Sequence, residues 1–146
     1  MKKLLSVLLL AIIIVSVSAC NKPVAETVTV VIGGSDEVVY EVDLNKVDVT
    51  EGAFSVLKYL NENEGLNLAS ESGEFGPYLT EVGSLKNDSV NGMYIYIYTS
   101  VEADKDTSEY AMNHTYNGVE LTSAKVGISQ MKVEKDSIIY FGLIKF

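Results

Sequence analysis

Few side chains in this sequence could do chemistry, and their spacing limits what that chemistry is. Cys20 is the only cysteine and His114 the only histidine. A single thiol can be acylated or alkylated, but it cannot close a disulfide within the chain. A lone imidazole cannot build a zinc site, which takes three or four Cys or His ligands. Nor does it complete a nucleophilic triad, which needs an activated Ser or Cys and an orienting acid; no Gly-x-Ser-x-Gly turn is present. Asp104, Asp106 and Glu109 cluster loosely. Calcium takes six or more oxygens from a defined loop, and this spacing has no central glycine, so a solvated acidic loop accounts for it. Gly33-Gly34 lacks the lysine and the longer glycine pattern of a phosphate loop. The sequence therefore predicts no enzyme, no metal and no cofactor. Tyr94, Tyr96 and Tyr98 offer something else. A row of tyrosines presents flat apolar area with hydroxyl handles at low entropic cost. Such a row suits a corrin, a sugar or a peptide. It equally suits a β-face packed under a helix or loop, because alternating aromatic strands are ordinary sheet chemistry. Tyr78, after Gly76-Pro77, either joins such a surface or anchors a loop.

Cys20 ends the run Val17-Ser18-Ala19-Cys20, behind an apolar stretch from Leu4 to Val17 with Lys2 and Lys3 in front. Basic start, apolar middle and small residues before the cleavage point each have a job in export. The run resembles a bacterial lipoprotein signal with its lipobox. That resemblance implies a signal peptide over residues 1–19, a mature chain beginning at Cys20, and lipid on its sulfur. The alternative of a transmembrane helix fares worse, since Leu4 to Ala19 falls short of the roughly twenty residues needed to span a bilayer. The expected location is the outer face of the bacterial cytoplasmic membrane, or the outer membrane in a two-membrane envelope. Residues 20–26 form a lipidated tether. Its six residues after the cysteine reach at most about 20 Å, which would hold the domain close to the membrane.

Composition excludes further classes. The full chain carries a formal charge of −9 and has no Arg. Loss of Lys2 and Lys3 with the signal would make the remainder more negative still. Nucleic-acid binding rests on Lys and Arg neutralising phosphates, so it is excluded. An acidic domain is likewise unsuited to lying flat on anionic lipid. Residues 27–146 suffice for one compact domain.

That domain must position whatever the tyrosines do. Thr27 to Ile32 and Val38 to Val42 are β-prone runs around Gly33-Gly34, which predicts a hairpin. Ala53, Val56, Leu57 and Leu60 recur at helical spacing, with Phe54 widening the stripe. Thr50 is expected to cap this helix, Glu51 suits its first turn, and Gly65 is expected to end it. Gly73 to Gly83 predicts a loop or a bent edge strand. Met93 to Thr99 alternates, with Tyr94, Tyr96 and Tyr98 on one face and Met93, Ile95 and Ile97 on the other. Val101 to Glu109 predicts an exposed loop. Asn117-Gly118 is a two-residue hairpin signal. Met131 to Glu134 and Ser137 to Phe141 flank Lys135-Asp136 and predict a final hairpin, with Ile138 to Phe146 as a well-buried terminal strand. One helix with one apolar face can cover one side of a mixed β-sheet, so the fold class is α+β, a β-grasp-like roll.

These elements, in this order, resemble the small C-terminal domain of transcobalamin and intrinsic factor, and bacterial surface proteins that carry that domain alone. The matching residues are the opening hairpin, the helix around Phe54-Ser55-Val56-Leu57-Lys58-Tyr59-Leu60, the Gly76-Pro77-Tyr78-Leu79-Thr80-Glu81-Val82-Gly83 stretch, the Tyr94–Tyr98 strand and the close at Val133–Tyr140. Met93 or Tyr94 stands where the family often has Trp, and Lys135-Asp136 where it has Gly-Asp. In the vitamin carriers this domain closes over cobalamin held by a larger helical domain, and residues 27–146 leave no room for such a domain. The resemblance admits cobalamin as a ligand without favouring it. It implies a membrane-anchored binding or interaction module, with Tyr78, Tyr94, Tyr96 and Tyr98 as candidate contacts for a small planar ligand. The alternative is a structural or protein-partnering envelope lipoprotein with no small ligand; a hydrolase ranks below both.

Overall fold

The computed structural model describes residues 25–146. The signal-like segment, Cys20 and most of the tether lie outside the described residues. Nine strands and one α-helix make up the domain, in the order β1 (Thr27–Ile32), β2 (Val38–Asp43), α1 (Gly52–Asn63), β3 (Leu68–Gly73), β4 (Gly76–Val82), β5 (Leu85–Lys86), β6 (Met93–Thr99), β7 (Asn113–Tyr116), β8 (Val119–Ser123) and β9 (Ile138–Lys145). Six strands form a sheet in the order β2-β1-β9-β6-β8-β7, and β3-β4-β5 form a second, smaller sheet. Within the large sheet β1 and β9 run parallel and the other neighbours antiparallel. The sheet is therefore mixed, and the class is α+β.

Strand alternation sorts the large sheet into two faces. Val28, Val30 and Ile32 of β1, with Ile139 and Phe141 of β9, point to one side and are fully buried there. Against them pack Ala53, Val56, Leu57 and Leu60 of α1, together with Leu79, Val82 and Leu85 from the small sheet. The core thus lies between the large sheet on one side and the helix plus the small sheet on the other.

The expected first hairpin and the Met93–Thr99 strand both form. So does the Asn-Gly hairpin: Asn117 and Gly118 adopt φ of 46° and 80°, the two positive values a type I′ turn needs. Five expectations are corrected. Thr50 does not cap α1; it lies in a 3₁₀ turn (Val49–Glu51), where its own N–H donates to Asp48. The first turn of the helix is satisfied from a distant loop instead: Ala53 N–H donates to the Met131 carbonyl at 3.1 Å and Phe54 N–H to the Ile128 carbonyl at 3.2 Å. Those bonds also explain why Met131 to Glu134 is no strand and the final hairpin is absent. The backbone there is committed to the helix end, and Lys132 N–H donates to the Asp104 carboxylate at 2.5 Å. Met131 is buried because it plugs the core, not because it sits in a ladder. Asp104 in turn corrects part of the exposed-loop reading of residues 101–109: it and Val101 are 4% exposed, while Glu102, Ala103, Thr107, Ser108 and Glu109 are exposed as expected. Residues 73–83 are neither a loop nor a lone edge: they supply β4, paired on both sides by β3 and β5. Finally, β9 is central but buried only in its first half; Leu143 and Phe146 are exposed. Gly65, at φ 71°, does follow the helix, beyond which Leu66 N–H bonds back to the Leu60 carbonyl.

Candidate functional site: an aromatic sheet face

The face of the large sheet turned away from α1 is lined with aromatic rings. Register brings them together. Tyr98 of β6 stands opposite Tyr140 of β9. On the far side of β6, Tyr98 pairs with Ser123 of β8. Two residues back on that strand, Leu121 pairs with His114 of β7, and Val119 pairs with Tyr116. With a side-chain period of two, Tyr94, Tyr96, Tyr98, Tyr140, His114 and Tyr116 share one side.

The rings touch in sequence. His114 lies 4.0 Å from Tyr140, centroid to centroid, at a tilt of 35°. Tyr98 sits 5.4 Å from His114 and 6.2 Å from Tyr140, and Tyr116 adds a contact to Tyr140 at 6.0 Å. Tyr96 meets Tyr98 edge-on at 5.4 Å. Phe146, just past β9, extends the row by packing on Tyr94 and Tyr96. The tyrosine and phenylalanine pairs, at 5.4–6.4 Å, fall in the range where offset and edge-to-face pairs attract. Most of the rings are half-buried, Tyr98 is 8% exposed, and Phe146 is 78% exposed. Among the described residues, no α-helix packs on this side.

Two glycines make room for Tyr140. Any side chain on Gly33 would place its Cβ 2.3 Å from the Tyr140 hydroxyl and 2.9 Å from the Phe141 carbonyl, closer than real atoms approach. Gly142, opposite Tyr96, leaves the ring of Tyr140 free at its Cε1 edge, where a Cβ would stand at 3.4 Å. Burial is the main cause pushing the Tyr98 hydroxyl above its ordinary pKa, followed by the neighbouring Tyr96 and Tyr140. Tyr140 is raised for the same first reason, then by Glu37 and Tyr116.

Of the sequence-nominated residues, the structure brings Tyr94, Tyr96 and Tyr98 into one surface. It does not pack them under the helix; Ile95 and Ile97 face the core instead. Tyr78 is kept apart. It lies on β4 of the small sheet, half exposed, with its hydroxyl accepting from Asn87 at 3.3 Å. Cys20 lies outside the described residues. The sequence reading missed Tyr140, Tyr116 and Phe146, and treated His114 only as a would-be catalyst. Tyr140 had a signal, since it alternates with Ile139 and Phe141, but the partner of β9 was not readable. Among the described residues, no group of three or more His, Cys, Asp or Glu is arranged to hold a metal ion. No described helix is long and apolar enough to cross a membrane. A groove of about 300 Å³ lies elsewhere, between β2 and α1, lined by Tyr40, Asp43, Lys46, Tyr59 and Glu64 among others; it is polar and holds no nominated residue.

No protein-family model matches the chain. No curated protein matches it either. Its fold is similar to that of solved structures. One is a proposed metal-binding protein from Ruminococcus gnavus, 22% identical with a TM-score of 0.50, the match covering 82% of this chain and 95% of that one. Another is haptocorrin in complex with Cbi, cobinamide, 16% identical with a TM-score of 0.53, the match covering 88% of this chain and 28% of haptocorrin. At such identities the likeness concerns the fold, which is transcobalamin-like.

Proposed function

We propose that this chain is a membrane-anchored, extracytoplasmic binding module whose β-grasp-like roll holds a small planar ligand on its aromatic sheet face, a corrinoid being one chemistry of suitable shape. The observation that carries this reading is the continuous run of rings from Phe146 through Tyr96 and Tyr98 to His114 and Tyr140, on the side of the sheet away from the described α-helix. Rigid rings already locked by their neighbours lose little entropy on binding. The fold shared with haptocorrin, whose structure contains cobinamide, supports trying corrinoids first. Sheet order supports the grasp-like reading, with the first and last strands parallel at its centre and the helix on one face. The module is not an enzyme in this reading; His114 serves as one more flat ring. Residues 1–19 are the signal peptide, Cys20 carries the lipid, residues 20–26 are the tether and 27–146 the binding domain.

Binding is measured on the full chain in detergent by calorimetry against cobinamide and a panel of planar aromatics. Tyr96→Ser and Tyr140→Ser should each weaken a ligand that binds by about tenfold, the worth of one lost stacking contact, while melting stays cooperative. Unchanged affinity in both variants would sink the aromatic face as the site. For the anchor, mass spectrometry of the membrane fraction should find an N-terminus at Cys20 bearing diacylglycerol; a soluble product with free Cys20 overturns it.

A second reading, a protein-partnering envelope lipoprotein, is favoured by the apolar rim of the same face. Val39 and Val119 are 44% and 40% exposed, and Phe146 more so. A cross-linked partner lost on Phe146→Ser, with no planar ligand bound, would select this reading.

A further inference from the structure

The aromatic face has a charge pattern that narrows its ligand. On β2, Val31↔Val39 and Thr29↔Glu41 are cross-strand pairs. Val31 also pairs with Tyr140, so Val39 and Glu41 stand on the aromatic side. Carrying the same register one pair past Ile32↔Val38 sets Gly33 opposite Glu37. Glu37 therefore flanks the hydroxyl of Tyr140, which rests over Gly33. After burial, which is the larger cause, the Glu37 charge also raises the Tyr140 hydroxyl. Asp43, paired with Thr27, falls on the same side as Glu41.

Among the described residues, the strands bring no positive charge to this face. By register, none of the six strands turns a Lys toward it; Lys145 of β9 pairs with Met93 and so points the other way. Among the described residues, the lysine seated over a ring is Lys58, on Phe54 of the helix. The half-buried rings of Tyr116 and Tyr140 thus present electron-rich surface on which, among the described residues, no lysine sits, beside two exposed carboxylates, on a chain of formal charge −9. A cation over such rings is attracted by their quadrupoles, and more so when partly desolvated. An anion of equal shape would meet carboxylates and π faces of the same sign.

We propose that this face selects a planar organic cation, held against Tyr116 and Tyr140 and oriented by Glu37 and Glu41, and rejects the anion of the same shape. The inference rests on reading the aromatic face as the binding surface.

Three acridines share one ring system and differ in charge at neutral pH: 9-aminoacridine is a cation, acridine neutral, acridine-9-carboxylate an anion. Each is titrated into the full chain in detergent, with empty micelles as the control. Aromatic proton resonances of Tyr116, Tyr140 and His114 report where the probe sits. The cation should bind about tenfold tighter than the anion, the scale of one partly desolvated cation–π contact. Glu37→Gln with Glu41→Gln should remove most of that preference, and added salt should reduce it. Glu62→Gln, on the exposed side of the helix, should leave it unchanged. Equal affinity of all three acridines at the same resonances overturns the charge selection and leaves the aromatic site standing. Loss of preference in Glu62→Gln equal to that in the double variant also overturns it, because the whole acidic field would then be responsible. No shift of the three ring systems with any acridine sinks this inference and the aromatic site together.

Discussion

Tyr98 and Tyr140 face each other across β6 and β9, each shielded from water by the other and by His114. Shielding disfavours the phenolate, so both hydroxyls hold their protons more tightly when folded than the ordinary value of 10.0. The stability this represents is fully present below pH 10.0, where the unfolded phenols are still protonated, and is lost as pH rises through the raised folded values. Ultraviolet titration should therefore show two late-ionising tyrosines, and urea melts should weaken only in that alkaline window. Tyr98→Phe should remove one of the late steps; a titration with all nine tyrosines ionising together contradicts this burial. The spacing of Tyr94, Tyr96 and Tyr98 announced a shared face without further help, because a strand permits only two sides. Tyr140, Tyr116 and His114 were not legible in the same way. Their membership depends on which strands lie beside β6, and no residue in any one strand records that.

At the scale of elements, α1 shows how a helix can begin without a side-chain cap. Its cap position, Glu51, makes no side-chain bond to the helix backbone; its carboxylate pairs with Lys58 instead. The Glu51 N–H instead donates to Ser55 Oγ at 3.1 Å, and the next free donors are met by carbonyls of the 128–131 loop. Gly52 is what lets that loop approach. At φ 52°, a Cβ there would stand 2.3 Å from the Met131 carbonyl oxygen and 3.0 Å from that of Ser129. Both are backbone atoms and cannot swing aside. Gly52→Ala should cost at least about 2 kcal/mol in chemical denaturation, combining strain at positive φ with lost helix-end bonds. A loss under about 0.5 kcal/mol would mean the loop retreats freely. The apolar stripe of α1 was readable from its period, whereas its cap was not. Thr50 had the right side chain in nearly the right place, and a loop some eighty residues later took the role.

For the whole molecule, β9 is the member that ties the chain together. It pairs with β1 near the start and β6 in the middle, while Phe141 fills the core with no exposure. Phe141→Ala should destabilise by about 3–5 kcal/mol in urea unfolding. Amide exchange should be slowest in β1, β9 and β6 and fast in β3, an edge strand whose residues are almost all exposed. Comparable protection in β3 and β9 would contradict a core centred on the last strand. By itself the sequence determined local things: the first hairpin, the helix stripe, the Asn117-Gly118 turn, and the alternation of the tyrosine strand. Each is set within a few residues by backbone sterics and side-chain period. The α+β class followed, because one apolar helix face needs a sheet to cover. Only the tertiary structure decided which way the tyrosines face, that Tyr140, His114 and Tyr116 join them, and that Met131 and Lys132 serve the helix and Asp104 instead of a hairpin. Those outcomes depend on strand order and on backbone donors finding acceptors far along the chain, and neither is written in any local pattern.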